Sequence, residues 1–195
     1  MSVIKRFFED YLLVCNSISE CKEPTPDYRI LAAVIIAEDR MFLSHKGVSL
    51  PSLARAFIKQ YGGASTIEMQ LVRTLTNRRE ISISRKVREI ILSVLVSLRF
   101  NKIEILSMYL NVAYFGSGLN GYMSVIKDFL MKNYGDDLTD YQCCVVASML
   151  KRPYSNSCHS KMNSLRQRAN YVYSLYGVMG EAVIGQIKEY LLQHK

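Results

Sequence analysis

The sequence predicts a mainly α-helical fold, and three observations support this prediction. Apolar residues recur at the three- and four-residue spacing of helices along nearly the whole chain of 195 residues. Alternation typical of strands, bounded by hairpin turns, is absent from the sequence. The composition is 49% hydrophobic with only 4 Pro, which excludes disordered, collagen-like and low-complexity classes and suffices for one sizeable core.

Three helices are predicted from their capping patterns. Ser65 followed by Glu68 is a capping box that opens a helix through Leu75. Ser82 or Ser84 caps a second helix, and Asn101 followed by Glu104 opens a third that runs to Val112. The apolar stripe of the second helix is expected to be its buried face; it comprises Val87, Ile90, Ile91, Val94, Leu95 and Leu98. Periodicity predicts further helices at about 2–16, 28–38, 50–60, 120–133, 138–151, 161–176 and 181–193.

The basic excess of the chain is concentrated in one region. There are 25 basic and 17 acidic residues, for a net charge of +8. Eight of the bases lie in 73–102, with only Glu80 and Glu89 as acids: Arg73, Arg78, Arg79, Arg85, Lys86, Arg88, Arg99 and Lys102. We therefore expect a phosphate-bearing partner such as an anionic lipid or a diphosphate. Nucleic acid is disfavoured, because Phe100 is the one aromatic residue among the bases of this region, and the region also supplies the core.

The N-terminus and the cysteines bear on the compartment. We expect no export signal and no membrane span, because charges between Lys5 and Asp10 interrupt the first apolar stretch. Residues 1–27 are predicted to form an N-terminal amphipathic segment, and 28–195 the main domain. The odd number of cysteines, 5, is a poor disulfide framework. Buried thiols are therefore expected, which a reducing compartment maintains most easily.

Three short strings contain candidate functional residues, each with a plain structural alternative. Glu38, at the end of an apolar helix, is a candidate base, or else part of a solvated terminus that pairs with Arg40. The glycine-rich turn at Gly63 leads into a capped helix that either binds an anion or has no ligand. Finally, Arg85, Lys86 and Glu89 share one helical face, which forms either a diphosphate site or a surface ion-pair cluster.

Taken together and in order, these strings resemble the motifs of the peptidoglycan glycosyltransferases. This family comprises the transglycosylase domain of bifunctional penicillin-binding proteins and their monofunctional relatives. Four motifs match: Glu38-Asp39-x-x-Phe42-x-x-His45-x-Gly47, Gly63-x-Ser65-Thr66-Ile67-x-x-Gln70, Arg85-Lys86-x-x-Glu89 and Lys102-x-Glu104-Ile105-Leu106-x-x-Tyr109-Leu110-Asn111. A fifth, around Tyr114-Phe115-Gly116, matches only in part, and the resemblance extends over about 29–175.

The resemblance implies a lysozyme-like fold with a larger globular lobe and a small membrane-facing lobe. It implies an inverting transferase that polymerises lipid II, a polyprenyl-diphosphate-linked disaccharide, into β-1,4 glycan strands. Glu38 would be the general base and Glu89 a second functional carboxylate. The implied substrate-binding residues are Ser65, Thr66, Gln70, Arg73, Arg85, Lys86 and Asn111. A divalent cation, Mg²⁺ or Mn²⁺, is expected with the substrate diphosphate.

The chain departs from the family pattern at a few positions. Glu68 and Met69 stand where Thr and Gln are usual, Arg73 replaces Lys, and Thr74 replaces Asn. The membrane helix that is usual at the N-terminus in the family is not expected in 1–27. These departures keep open a second interpretation, a non-catalytic or divergent protein that binds a different polyprenyl-diphosphate-linked sugar. A lysozyme-type hydrolase is a third interpretation, but it leaves the basic region unexplained.

The expected partners are the lipid-linked sugar and a membrane surface; partners in cell-wall synthesis cannot be named from the sequence. Contact with the bilayer interface is expected from residues near the Gly62–Gly63 turn, namely Phe57, Ile58, Lys59 and Tyr61. The N-terminal apolar stripe either makes the same contact or packs onto the domain; it comprises Val3, Ile4, Phe7, Phe8, Tyr11 and Leu12. A peripheral position on the bacterial inner membrane follows. The resemblance implies its periplasmic face, whereas the thiols and the absent signal favour the cytoplasmic face.

Overall fold

The computed structural model describes residues 3–49, 65–78, 80–133 and 135–194, and it is mainly helical, as predicted. The helices are α1 Val3–Ser19, α2 Tyr28–Glu38, α3 Ile67–Thr76, α4 Ile83–Arg99, α5 Lys102–Val112, α6 Tyr122–Ser124, α7 Asp140–Met149 and α8 His159–Gln193. Two short antiparallel strands, β1 Tyr114–Gly116 and β2 Leu119–Asn120, precede α6, and a π-helical turn, Val125–Phe129, follows it. The helix predicted at 50–60 and the Gly62–Gly63 turn lie outside the described residues.

The chain forms two compact units, each built from two stretches of sequence. The first unit comprises Met1–Thr25 and Met41–Tyr109, and in it α1 packs on α3 and α4. The second unit comprises Pro26–Arg40 and Leu110–Lys195, and in it α2, α7 and α8 pack against one another. The boundary predicted at residue 27 stays a prediction.

The core of the second unit is centred on α2. This helix has the predicted bounds, and every residue from Ile30 to Ile36 is buried, as expected of a helix that is apolar on all sides. Asp27 caps it by accepting a hydrogen bond from the backbone N–H of Arg29 at 2.8 Å. Glu38 is its last residue, so the buried helix determines where that carboxylate lies.

Helix α8 corrects one prediction. The sequence predicts two helices, over 161–176 and 181–193, but the structure has a single helix of 35 residues. The break was expected between 176 and 181. Buried residues continue across it, namely Tyr176, Gly180 and Ile184. Three glycines lie in this helix, Gly177, Gly180 and Gly185, and each costs about 1 kcal/mol of helix stability. The packing of the continuous buried stripe outweighs that cost.

The buried face of α4 differs from the predicted one. None of the stripe residues is buried: Val87, Ile91 and Leu98 are exposed, and Ile90, Val94 and Leu95 are half-buried. The buried residues are instead Glu89, Leu92, Ser93 and Val96. The sequence pattern was misleading because Glu89 and Ser93 satisfy their polar groups inside the first unit: Glu89 by ion pairs, and Ser93 by donating to the carbonyl of Glu89 at 2.6 Å.

The predicted caps are confirmed in two of three cases. Ser82 accepts from the N–H of Arg85 at 3.1 Å, and Asn101 accepts from the N–H of Glu104 at 2.9 Å. The capping box at Ser65 is wrong, because Thr66 is the N-cap of α3 and accepts from the N–H of Met69 at 3.3 Å. The side chain of Glu68 therefore has another function, described below.

The segment after α5 is also corrected. A single helix was predicted at 120–133 and no strands, but residues 114–129 form a hairpin, one helical turn and a π-helical turn. The hairpin depends on Gly116, whose φ is 138°. A Cβ at this position would lie 2.3 Å from the carbonyl oxygen of Tyr154, so only glycine permits the close approach of these two backbone segments.

Two further observations concern the helices and the cysteines. None of the described helices is long and apolar enough to cross a membrane. The five cysteines form no disulfide. Cys15, Cys143 and Cys144 are buried, as predicted, but Cys21 and Cys158 are only half-buried. Burial raises the pKa of Cys143 and of Cys144 to about 12, so both are unreactive.

Candidate functional site

Glu89 is the centre of a charged cluster in the first unit. Its side chain is 3% exposed and lies on the buried face of α4. Arg73 of α3 donates to both carboxylate oxygens, from Nε to Oε1 and from Nη2 to Oε2, each at 2.9 Å. Arg85, one turn earlier on α4, also donates to Oε1. This bidentate geometry is the strongest form of an arginine–carboxylate pair.

The electrostatics keep Glu89 ionised. Burial by itself would raise the pKa of Glu89, but hydrogen bonding by Arg73 and the positive charges of Arg73, Arg85 and Lys86 outweigh it. The pKa of Glu89 therefore lies below its ordinary value. Because Glu89 stays ionised and accepts hydrogen bonds from Arg73 and Arg85, it can hold these two guanidinium groups in position.

Lys86 completes the cluster together with Ser65. Its Nζ donates to Oγ of Ser65 at 3.2 Å, and Nη2 of Arg73 reaches the same oxygen at 3.5 Å. Burial lowers the pKa of Lys86, and the neighbouring charges of Arg73 and Arg85 lower it further, against the opposing effect of Glu89. Three cations and one carboxylate give the cluster a net charge of about +2, so binding of an anion would be favourable.

Most of the other bases in 73–102 form ion pairs with buried carboxylates of the protein. Arg78 and Arg88 both pair with Asp10 of α1, a buried carboxylate. With Lys102, which pairs with Glu68, these residues have a structural role. The cluster around Glu89 is therefore the candidate site for the expected phosphate-bearing partner. Of the other two bases, Arg99 lies over the ring of Phe100, and Arg79 lies outside the described residues.

Glu68 belongs to a second, largely buried cluster in the first unit. Its side chain is 0% exposed, and Oε1 accepts a hydrogen bond from Lys102. The ammonium group of Lys102 also lies 4.6 Å from the ring centroid of Phe42, a cation–π contact. Nδ1 of His45 is 3.9 Å from Oε1 of Glu68. Glu68 therefore neutralises an internal lysine, and this explains why an acid is tolerated there.

Thr66 and Gln70, two further predicted substrate ligands, already bond within the first unit. The hydroxyl of Thr66 donates to the carbonyl of Gly47 at 2.7 Å and also caps α3. Oε1 of Gln70 accepts from the hydroxyl of Tyr109 at 2.8 Å. Their assignment to substrate stays a prediction, while the contacts give Thr66 a clear structural role.

Gly47 is explained by packing. Its φ is 82°, and a Cβ there would lie 2.3 Å from the carbonyl oxygen of Ser93 on α4. Any other residue would push the loop after α2 away from α4, which carries Glu89.

Glu38 and Asn111 lie in the second unit. Oε1 of Glu38 accepts from Nη2 of Arg168 at 2.9 Å, and the same nitrogen donates to the carbonyl of Ala37 at 3.1 Å. The side chains of Glu38 and Arg168 are only 11% and 15% exposed. Arg168 thus clamps the end of α2 and orients the carboxylate. Asn111 is half-buried near the end of α5, and its use as a substrate ligand stays a prediction.

The family model described as transglycosylase matches residues 18–176 of the chain. The chain belongs to this family. It is 29% identical to the biosynthetic peptidoglycan transglycosylase of Shewanella oneidensis over 80% of its own length and 69% of that protein. It is also 30% identical to penicillin-binding protein 1A of Rickettsia typhi and 32% identical to penicillin-binding protein 2a of Streptococcus pneumoniae.

The extent of these matches differs between the relatives. The match to the Rickettsia protein includes 73% of this chain, and the match to the Streptococcus protein includes 71%. In both cases, the matched part is only 19% of the penicillin-binding protein. Family membership confirms the resemblance inferred from the motifs. It also agrees with the mainly α-helical fold expected of a transglycosylase domain.

Sequence reasoning missed two contacts of the site. The bond between Arg168 and Glu38 spans 130 residues, so no local sequence pattern could reveal it. The Glu68–Lys102 pair spans 34 residues. The sequence did contain a signal for this pair. Glu68 lies between the apolar residues Ile67 and Met69, and Lys102 lies beside Ile103; charged residues in apolar surroundings are expected to be paired.

We predict that Glu89→Gln destabilises the protein by about 2 kcal/mol at pH 7, because two guanidinium groups lose their buried charge partner. Since the folded-state pKa of Glu89 is lowered, its contribution is complete above the unfolded-state pKa. It is lost as the pH falls through the folded-state value. Urea unfolding of wild type and Glu89→Gln between pH 7 and pH 3 measures the difference.

The matched control is Glu20→Gln, which changes an exposed glutamate of the same unit. We expect it to unfold like the wild type at every pH. A Glu89→Gln deficit that is absent at pH 7, or that grows on acidification, would contradict a stabilising role for the ionised carboxylate.

Proposed function

We propose that the chain is an inverting glycosyltransferase that polymerises lipid II into β-1,4 glycan strands. The observation that carries this proposal is the cationic cluster of Arg73, Arg85 and Lys86 around Glu89, in a chain that belongs to the transglycosylase family. The relative from Shewanella oneidensis, named a biosynthetic peptidoglycan transglycosylase, supports the substrate class.

The reaction would transfer the growing glycan from its diphosphate to the acceptor sugar. The acceptor 4-hydroxyl oxygen attacks the donor anomeric carbon, the bond from that carbon to the diphosphate oxygen breaks, and the hydroxyl proton passes to a base. The leaving group departs as a stable polyprenyl diphosphate anion, so it needs positive charge more than it needs a proton. A cluster with net charge of about +2 supplies that charge.

Glu38 is the proposed base. Its carboxylate is nearly buried at the end of an apolar helix and held by Arg168. A positioned base contributes roughly 10²–10⁴-fold to such a transfer. Arg168 would act through Glu38 as a positioning residue, because the same guanidinium nitrogen also anchors the backbone of Ala37.

The residues around Glu89 do not fit a protein-bound divalent cation. Both carboxylate oxygens accept from guanidinium groups, and three positive side chains surround them. A dication prefers uncommitted carboxylate oxygens. We therefore assign charge neutralisation to Arg73, Arg85 and Lys86. The expectation of Mg²⁺ or Mn²⁺ with the substrate diphosphate stays a prediction that concerns the substrate's own oxygens.

A membrane surface is the proposed location of the reaction, since the substrate is anchored by a polyprenyl chain. Exposed members of the apolar stripe of α4 support it, with Ile91 45% and Leu98 62% accessible. Three residues of the N-terminal stripe on α1, Ile4, Phe8 and Leu12, are also exposed and support the same location. The other predicted contact residues, Phe57, Ile58, Lys59 and Tyr61, lie outside the described residues.

We predict that the wild type forms polymer from fluorescent lipid II in detergent and that Glu38→Gln lowers the rate at least about 100-fold, because the base is lost. The glutamine can still accept from Arg168, so the fold should persist. The matched control, Glu181→Gln on an exposed turn of α8, should retain the wild-type rate. Gel analysis of the products, with Mg²⁺ and with chelator, measures all three.

Two outcomes would contradict this assignment. Equal rates for wild type and Glu38→Gln would remove Glu38 as the base. Lipid II binding without turnover by the wild type would favour the binding protein kept open by the sequence. One of the sequence departures that motivated this alternative was Glu68. The structure gives less support for it, because Glu68 pairs with Lys102 inside the protein.

We predict that the α4 stripe contributes to membrane binding. Val87→Ser together with Ile91→Ser should weaken binding to vesicles that contain anionic lipid by about 10-fold or more, since two partly exposed apolar side chains are lost. Val178→Ser, at an 85% exposed position of α8, is the matched control and should bind normally. Vesicle co-sedimentation measures the partition, and an equal loss in the control would contradict a specific role of α4.

A further inference from the structure

Two tyrosine rings form an exposed surface on the second unit that the reaction described above does not use. Tyr141, on the first turn of α7, packs edge-on against Tyr173 of α8, with the ring centroids 5.5 Å apart. The hydroxyl of Tyr141 also donates to Oδ1 of Asn170 at 3.1 Å. Tyr141 is 37% and Tyr173 46% exposed. We call these three residues the tyrosine patch.

The tyrosine patch lies on a different side of α8 from the residue that holds Glu38. A helix has 3.6 residues per turn, so successive residues are rotated by about 100° around its axis. Tyr173 is therefore rotated by about 140° from Arg168, and Asn170 by about 160° in the opposite sense. Because both are directed away from Arg168, the tyrosine patch is separate from the contact that orients Glu38.

A carboxylate lies directly beside the tyrosine patch. Asp140 precedes Tyr141 on the first turn of α7, and it is exposed. Its charge also acts on α8: burial raises the pKa of Tyr176, and the negative charge of Asp140 raises it further. Tyr176 lies one turn after Tyr173. The negative charge of Asp140 is thus felt on the part of α8 that carries the tyrosine patch.

The loop before α7 adds more carboxylates at fixed positions. Nη2 of Arg29 pairs with Asp27 at 2.7 Å and with Asp137 at 2.6 Å, and Nη1 donates to the carbonyl of Leu138 at 2.7 Å. Asp136 accepts from a backbone N–H of the same loop at 2.7 Å. These bonds join the loop to the start of α2, so the acids keep their places beside α7.

The surface around the tyrosine patch is negative on a chain that is positive overall. Four exposed carboxylates, which we call the acidic rim, surround two cations, Arg29 and Lys132, and leave a local charge of about −2. The whole chain carries +8. A surface of this sign repels anionic lipid and phosphate and attracts a cationic partner. The acidic rim comprises Asp27, Asp136, Asp137 and Asp140.

Among cationic side chains, arginine fits both parts of this surface. Its planar guanidinium group stacks on an aromatic ring and pairs with a carboxylate through two hydrogen bonds, whereas the ammonium group of lysine is a compact and strongly hydrated charge. Tyrosine is enriched at the energetically important positions of protein interfaces. The rings of Tyr141 and Tyr173 already hold each other in place, which lowers the entropic cost of binding.

We propose that the tyrosine patch and the acidic rim form a docking surface for an arginine-rich segment of a partner protein. Guanidinium groups of that segment stack on Tyr141 and Tyr173, and others pair with Asp136 and Asp140. This proposal does not rest on the proposed function, because none of its residues belongs to the contacts of Glu38 or to the cluster around Glu89.

The test is a titration of ¹⁵N-labelled protein with hexa-arginine at low salt. We expect saturable shifts at Tyr141, Asn170 and Tyr173 and an affinity that falls as salt is added. Hexa-lysine should bind at least about 3-fold more weakly, since it does not stack on the rings. Hexa-glutamate should not shift these residues. Equal affinities for hexa-arginine and hexa-lysine would overturn the role of the tyrosine patch.

A tyrosine variant with a matched control localises the binding. Tyr173→Ala should weaken binding of hexa-arginine by about 5-fold, because one stacking surface is lost. Tyr171→Ala removes an equally large side chain that is 56% exposed on the opposite side of the same helix, and it should bind like the wild type. Equal losses in the two variants would overturn the proposal.

A charge variant tests the acidic rim. Asp136→Asn together with Asp140→Asn should weaken binding of hexa-arginine by about 10-fold at low salt, because two carboxylates are neutralised. The control combines Asp128→Asn with Glu181→Gln, which neutralise two exposed acids elsewhere in the same unit. If the control loses as much affinity, the attraction is a property of the net charge alone, and the docking surface is disproved.

A second copy of the chain is the other occupant that the experiments must distinguish. Sedimentation velocity of the wild type, Tyr173→Ala and Tyr171→Ala over a range of concentrations measures self-association. We expect the three proteins to sediment alike. A concentration-dependent oligomer that Tyr173→Ala loses and Tyr171→Ala keeps would assign the surface to a second copy and overturn a separate arginine-rich partner. Neither result bears on the transferase assignment, which Glu38→Gln tests.

Discussion

Buried carboxylates in the first unit must be paired with cations, and the arrangement of its helices follows from this constraint. Three such acids, Asp10, Glu68 and Glu89, lie on α1, α3 and α4. An ionised carboxylate is removed from water at a large cost unless cations and hydrogen bonds compensate it. Five bases of the positively charged region meet that need: Arg73, Arg78, Arg85, Arg88 and Lys102. Three of these ion pairs connect different helices: Arg73–Glu89 connects α3 to α4, Arg88–Asp10 connects α4 to α1, and Lys102–Glu68 connects α5 to α3.

The same pairing determines where charge remains for a ligand. Asp10 faces two arginines, as Glu89 does, but only the Glu89 cluster also includes a lysine that donates to a serine. Arg73 and Arg85 are held at defined positions by the carboxylate, while Lys86 forms no salt bridge among the described residues. Cations positioned in this way can stabilise a departing diphosphate without reorganising. A large positive count in a sequence is thus a weak guide to a binding surface until the internal partners are known.

The sequence predicted those features that depend on local patterns. The bounds of α2, the Ser82 cap and the Asn101 cap were correct because capping and burial patterns act over a few residues. The buried face of α4 was not predictable, since Glu89 and Ser93 are polar residues whose partners come from tertiary structure. Glu38 and its clamp Arg168 are 130 residues apart. The motifs supplied the identity of the candidate residues, and the fold supplied their contacts.

Binding of a short prenyl diphosphate tests the central claim, that Lys86 and its arginine neighbours form the diphosphate site. Titration calorimetry at low salt would compare farnesyl diphosphate with farnesol, for wild type, Lys86→Gln and the control Lys188→Gln. We predict that farnesyl diphosphate binds the wild type and the control equally and Lys86→Gln about 10-fold or more weakly, because one charge-assisted hydrogen bond is lost. Equal affinity of wild type and Lys86→Gln, or equal binding of farnesol and farnesyl diphosphate, would contradict it.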